Sequence, residues 1–184
     1  MSMSTPQRGY SLLEMLVSIG LFSLVMLLAT GAFLKFMALD RIARYTNDVT
    51  NNLSFAVDSM SRSMRTGIAY DCGPVDATKN CWPTPGNQFS FQDDQGRLVT
   101  YLVKTDGSIG RCVTSGCTGT NAVSLTDKRI TIQSLNFYVR GVGTGDGRQP
   151  QVLISIQGLM QPDPNNPAIH FSIQTTALQR FLEL

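Results

Sequence analysis

From Met15 to Leu34 the chain carries no charged side chain, and Lys35 is the first charge after that run. An apolar stretch of about 18 or more residues is long enough to cross a bilayer as a helix. Glu14 stands directly before it and is the anomaly. On insertion scales a carboxylate at the centre of a span costs about 2.5–3.5 kcal/mol, and less near the end. An ionisable group inside a span is by default a functional residue, and it needs a partner. A cut between Gly9 and Tyr10 would supply one, because the new α-amino group at Tyr10 lies about one helical turn from Glu14. The same amine on a neighbouring copy could also meet the carboxylate. Burying a carboxylate is tolerable once it is paired and hydrogen-bonded.

Three other readings compete for the same run. It could be a cleaved secretory signal with Ala29-Thr30-Gly31 as the small-residue site, although it is longer than a usual signal core and begins with Glu14. It could be a plain single-span anchor. A buried core helix fits less well, because the run is apolar all round. Flanking charge does not decide the orientation. Arg8 precedes the span while Lys35, Arg41 and Arg44 follow it, which alone favours the segment after the run in the cytoplasm.

The segment Arg8-Gly9-Tyr10-Ser11-Leu12-Leu13-Glu14-Met15-Leu16-Val17 resembles the prepilin leader of type IV pilins and type II secretion pseudopilins. That pattern is a short basic leader ending in Gly, an aromatic residue, and a hydrophobic run with Glu at the fifth mature position. Tyr10 stands where the family most often has Phe, which keeps the ring and adds a hydroxyl. The resemblance covers roughly the first 36 residues. It implies cleavage after Gly9 and N-methylation of Tyr10 by a prepilin peptidase. It gives Glu14 an assembly role, pairing with a neighbour's amine. It places the leader in the cytoplasm, the span in the inner membrane and the head outside, before assembly into a fibre.

After the span the helical pattern continues. Leu39, Ile42, Tyr45, Val49, Leu53, Ala56, Met60 and Met64 recur every three or four residues and form one apolar stripe. Asp40, Arg41, Arg44, Asn47, Asp48, Asn51 and Asn52 form a solvated face. The helix is expected from about Ser11 to Thr66, with Gly67 as its stop. From Ile68 onward the pattern is of short strands and turns. Val99, Tyr101 and Val103 share a face; Asp93-Asp94-Gln95-Gly96 and Asp106-Gly107 mark turns. Ile130, Ile132, Phe137 and Val139 suggest a longer strand that shifts face near Ser134. Val152, Ile154 and Ile156 alternate, as do Ile169, Phe171 and Ile173 in a last strand running towards Phe181. Such strands imply a mostly antiparallel sheet, one face of which would cover the helix stripe.

The expected class is therefore α+β: a long N-terminal helix packed on a C-terminal antiparallel sheet, as in pilins. Residues 1–9 are the leader, 10–36 the membrane and assembly helix, 37–67 its amphipathic continuation and 68–184 the head. Loops are expected at Asp71 to Gly86, at the glycine-rich Gly141 to Pro150, and at Gln161 to Pro167. By the pilin resemblance, such loops carry subunit contacts or exposed epitopes. The stretch Phe171 to Arg180, containing Gln174-Thr175-Thr176, looks like the closing strand of minor pilins and pseudopilins.

Cys72, Cys81, Cys112 and Cys117 all follow the span, and an even count outside the cytoplasm suggests disulfides. Four cysteines allow three connectivities. Spacing favours the local one, Cys72 with Cys81 and Cys112 with Cys117. A four-cysteine zinc site fits less well, because Cys72 and Cys81 are too far apart for a ligand pair.

No catalytic constellation is present. His170, the sole histidine, reads as a strand residue, and no nucleophile elbow, phosphate loop or zinc-protease motif occurs. Asp146 among its glycines is a poor calcium set, and Asp93-Asp94 reads as a turn. The formal charge of +2 with scattered basic residues gives no nucleic-acid groove. The expectation is a non-enzymatic structural subunit without metal or cofactor, whose partners are other pilin subunits and the prepilin peptidase. The absence of proline from the span and the sheet-rich head lean towards a minor pilin or a J-type pseudopilin. Glu14 argues against the tip-initiating pseudopilin type, which commonly lacks that carboxylate. The alternative is a tethered extracytoplasmic binding module, an adhesin or DNA receptor.

Overall fold

A computed structural model describes residues 9–73, 80–143, 147–161 and 168–180. The chain divides into two compact units, one ending at Arg44 and one running from Tyr45 to Leu184. One helix, α1 (Leu12–Thr66), belongs to both. Ser11 caps it, its hydroxyl accepting from the Glu14 amide at 3.2 Å. Such a cap satisfies one of the amides that a helix start leaves without a partner.

In the second unit α1 turns one stripe inward. Val49, Leu53, Ala56, Met60 and Met64 are buried. The expected stripe is shorter than its periodicity suggests, since Leu39 is exposed and Ile42 and Tyr45 are only half-buried. Asn52, expected on the solvated face, is half-buried instead, and its side-chain Oδ1 accepts from the Asp127 amide at 3.0 Å.

The helix ends for a packing reason. A Cβ on Gly67 would sit 2.2 Å from Cδ2 of the fully buried Phe91, so only glycine fits there. Gly67 has no left-handed backbone, and the turn that follows places Ala69 at φ 55° instead. The carbonyl of Met64 accepts from the Gly67 amide at 3.0 Å and from the buried Tyr70 hydroxyl at 2.5 Å. The Arg65 carbonyl accepts the Arg180 amide at 2.8 Å. These bonds pair acceptors that the last helical turn would otherwise leave orphaned.

Nine strands follow among the described residues: β1 (Ile68–Asp71), β2 (Cys81–Gly86), β3 (Gln88–Gln92), β4 (Leu98–Val103), β5 (Ile109–Cys112), β6 (Val123–Ser124), β7 (Ile130–Arg140), β8 (Gln151–Met160) and β9 (Ile169–Leu178). They form two antiparallel sheets where one was expected. The order is β1-β3-β4-β5-β6 in the first and β2-β7-β8-β9 in the second. One continuous core joins the helix stripe to both sheets. Its centre is aromatic, with Phe89 stacked on Phe137 at 5.4 Å and Tyr70 edge-on to Phe89 at 5.2 Å.

The alternation of Val99 and Tyr101 places both in this core. The other face of β4 is covered too. Leu102 packs with Cys112 and Ala122 in a small satellite cluster. In β7 the register shifts between Ile132 and Ser134, so burial passes from Ile130 and Ile132 to Leu135, Phe137 and Val139. A bulge of this kind inserts one residue and re-aims the side chains after it.

The expected loop from Asp71 to Gly86 is corrected by β2, which occupies Cys81–Gly86 despite Pro83 and Pro85. Proline is tolerated on an edge strand, and β2 is one. The described residues of the glycine-rich stretch, 141–143 and 147–150, form no strand. Asp146, Pro162, Pro164, Pro167, Phe181 and the leader up to Arg8 lie outside the described residues.

Both expected turns form around a carboxylate. Asp93 accepts from the amides of Gln95 at 3.0 Å and Arg97 at 2.8 Å, and pairs with the Arg97 guanidinium. Asp106 accepts from the Ser108 amide at 3.0 Å, and Gly107 takes the left-handed position at φ 79°. The cysteines pair as Cys72–Cys81 and Cys112–Cys117, and none is free. Four disulfide-bonded cysteines leave no thiolate for zinc.

Candidate functional site: the start of the helix

Gly9 and Tyr10 precede α1 in an open, non-helical conformation, and both are exposed. Tyr10 is 80% accessible. Ser11 then fixes where the helix begins. Its carbonyl accepts from the amides of Glu14 at 3.1 Å and Met15 at 3.2 Å, and its hydroxyl also accepts from Glu14.

Glu14 therefore stands in the first turn of α1. A negative charge there is favourable to the helix dipole by about 0.3–1 kcal/mol at an exposed site. Ser11 was not singled out by the sequence reading, but a signal for it exists. Ser followed three residues later by Glu, just before an apolar run, is the capping-box signature.

Every residue from Leu12 to Leu39 is exposed. Among the described residues α1 is the one helix apolar and long enough to cross a membrane, and none of its most apolar window is buried. Apolar patches beyond a few hundred Å² on a soluble surface mark contact with lipid or protein. The arrangement offers one exposed apolar run suited to contact with lipid or protein, with one carboxylate at its entry.

The other sequence candidates lie elsewhere. His170 is exposed on β9, opposite Leu159 of β8. Among the described residues no group of three or more His, Cys, Asp or Glu is placed to hold a metal. Sequence reading also passed over a surface cluster on the four-stranded sheet. Trp82 meets Tyr138 edge-on at 5.8 Å, and the Arg140 guanidinium lies 5.3 Å from the centre of the Trp82 ring. The signal for it was weak, because the three residues come from two strands more than fifty positions apart.

Residues 4–30 match the family described as the prokaryotic N-terminal methylation motif. No curated protein and no solved structure matches the chain. The matched segment contains Gly9, Tyr10, Ser11, Glu14 and most of the uncharged run. It supports the type IV pilin and pseudopilin family, whose members are structural, and implies a prepilin peptidase and other pilin subunits as partners.

Proposed function

We propose that this chain, a prepilin-peptidase substrate of the pilin and pseudopilin kind by its N-terminal motif, is a minor structural subunit of a type IV pilus or secretion pseudopilus. The observation that carries the reading is the capped start of α1. It leaves Gly9-Tyr10 open and places Glu14 one turn further on, at the head of a run with no cover of its own.

In this reading the peptide bond after Gly9 is hydrolysed, and the new Tyr10 amine is methylated. The helix waits in the inner membrane with the head outside the cytoplasm. Entering a fibre moves the run from lipid to neighbouring helices. There Glu14 meets the amine of an adjacent copy. A carboxylate in such surroundings is costly alone and tolerable when paired, so the pair sets the register between subunits. The absence of proline from residues 10–36 and the closing segment Gln174-Thr175-Thr176 on β9 favour a minor rather than a major subunit.

Intact-mass analysis of membrane and fibre fractions tests the processing step. The expected mature chain begins at a methylated Tyr10; a terminus at Met1 or at Ala32 overturns it. Glu14→Ala tests assembly. It is expected to abolish incorporation into fibres while the head keeps its unfolding transition. A variant that assembles normally would instead fit a tethered binding module.

A further inference from the structure

A cavity of about 470 Å³ opens in the head beside the bulge of β7. Its origin lies in the strand order. β2 pairs with β7 only as far as Gly86 opposite Phe137. Asn87 then carries the chain across to β3 in the other sheet. Gln133 to Asn136 of β7 is left facing Asn87, Gln88 and the segment Cys117 to Gly119 that follows the disulfide-closed loop.

The lining is mixed, with Leu102, Val103 and Leu135 beside its polar groups, and carries no charged side chain. Asn87, Gln88, Gln133 and Asn136 bring carboxamides, and Ser134 and Thr118 bring hydroxyls. Among the described residues the side chains of Asn87, Gln88, Gln133, Ser134 and Asn136 make no hydrogen bond to protein. Tyr138 follows Asn136 on the same face of β7, since alternate strand residues share a face. Tyr138 leads in turn to Trp82, which is 56% exposed. Among the described residues Arg140 lies over the Trp82 ring and against the carboxamide of Gln151, and Arg148 lines a separate pocket with Arg140.

We propose that this groove, with the Trp82–Tyr138 platform beside it, binds a neutral oligosaccharide. Sugar hydroxyls both donate and accept, and a carboxamide offers both functions in fixed geometry. An aromatic ring packs against the C–H face of a pyranose. The charge match is specific. A nucleic-acid strand wants several cations along its phosphates, and no charged side chain lines the groove. An apolar partner would strip water from five unpaired polar side chains and return no hydrogen bonds, a cost for each of them. The inference goes beyond the fibre-subunit reading and does not rest on it.

The test uses the full chain in a non-glycosidic detergent, titrated with cellotetraose, maltotetraose, mannotetraose and chitotetraose. Trp82 is the chain's single tryptophan, so its emission reports this surface alone. At least one sugar is expected to give a saturable change that added salt does not weaken. The double variant Gln133→Ala, Asn136→Ala is expected to bind about tenfold more weakly, the loss of about two net hydrogen bonds. Asn87→Ala, on a different segment, is expected to weaken binding about threefold by the same reasoning. Ser172→Ala on β9 should leave it unchanged. The proposal is overturned if none of the four sugars alters Trp82 emission, if the groove variants bind as the parent does, or if oligothymidylate binds in their place with a steep salt dependence.

Discussion

The two portions of α1 share a backbone and differ in what surrounds them. From Leu12 to Leu39 every residue is exposed and the sequence is apolar on all sides. From Tyr45 to Thr66 one stripe is buried, and the opposite face carries pairs such as Asp58–Arg62 at 2.9 Å. A helix apolar all round must find lipid or other protein, whereas an amphipathic one needs a single covered face. The second portion finds that cover within its own chain, in the core that joins both sheets. The first has none in its own unit. One helix therefore has two separate sources of stability.

The largest expected effect sharpens this division. Met60→Ala removes a fully buried side chain and should cost about 2–5 kcal/mol in denaturant unfolding of the head. Leu24→Ala, in the exposed portion, should change the same transition by less than about 0.5 kcal/mol. Equal losses would break the comparison. Next comes Gly67→Ala at the end of the covered portion. A methyl group 2.2 Å from the Phe91 ring overpacks the core, with an expected cost of about 1–3 kcal/mol. An unchanged transition would show that the helix end can shift without strain.

Removing the Cys112–Cys117 bond by a double Ser substitution should cost about 2 kcal/mol, on a chain-entropy account of short loops. That loss should appear in the head and leave the helicity of the first portion intact by circular dichroism. The smallest effect concerns acid. Burial pushes the Asp93 carboxyl up, but hydrogen bonds from Arg97 and Gln95 and the Arg97 charge outweigh it, so it titrates below the ordinary value of 3.8. A depressed folded pKa stabilises above the unfolded value, and that contribution is lost as pH falls through the folded one. Asp93→Asn should therefore be less stable than the parent at neutral pH. The difference should close below the ordinary carboxylate range, which a pH series of unfolding midpoints would measure.

The first portion of α1 was legible because an uncharged run and an isolated Glu are one-dimensional signals. The strands with clean alternation, such as Val152, Ile154 and Ile156, were legible for the same reason, and all three are buried. The division into two sheets was not. It depends on which strands pair, and β3 pairs with β1 and β4 whereas β2 pairs with β7 across fifty residues of chain. Pro83 and Pro85 hid β2, because proline argues against a strand unless the strand lies at an edge. The stop at Gly67 was legible, but the packing behind it was not, since proximity to Phe91 is invisible without the fold. The cap at Ser11 is legible in its spacing to Glu14.

The Cys72–Cys81 bond follows β1 in one sheet and opens β2 in the other. It thus ties the two sheets together where the chain first passes between them. Whatever the length of the connection, the covalent tie fixes its ends. Reducing this bond should accordingly free the edge strand β2 from the other sheet, while β7, β8 and β9 keep their own pairs.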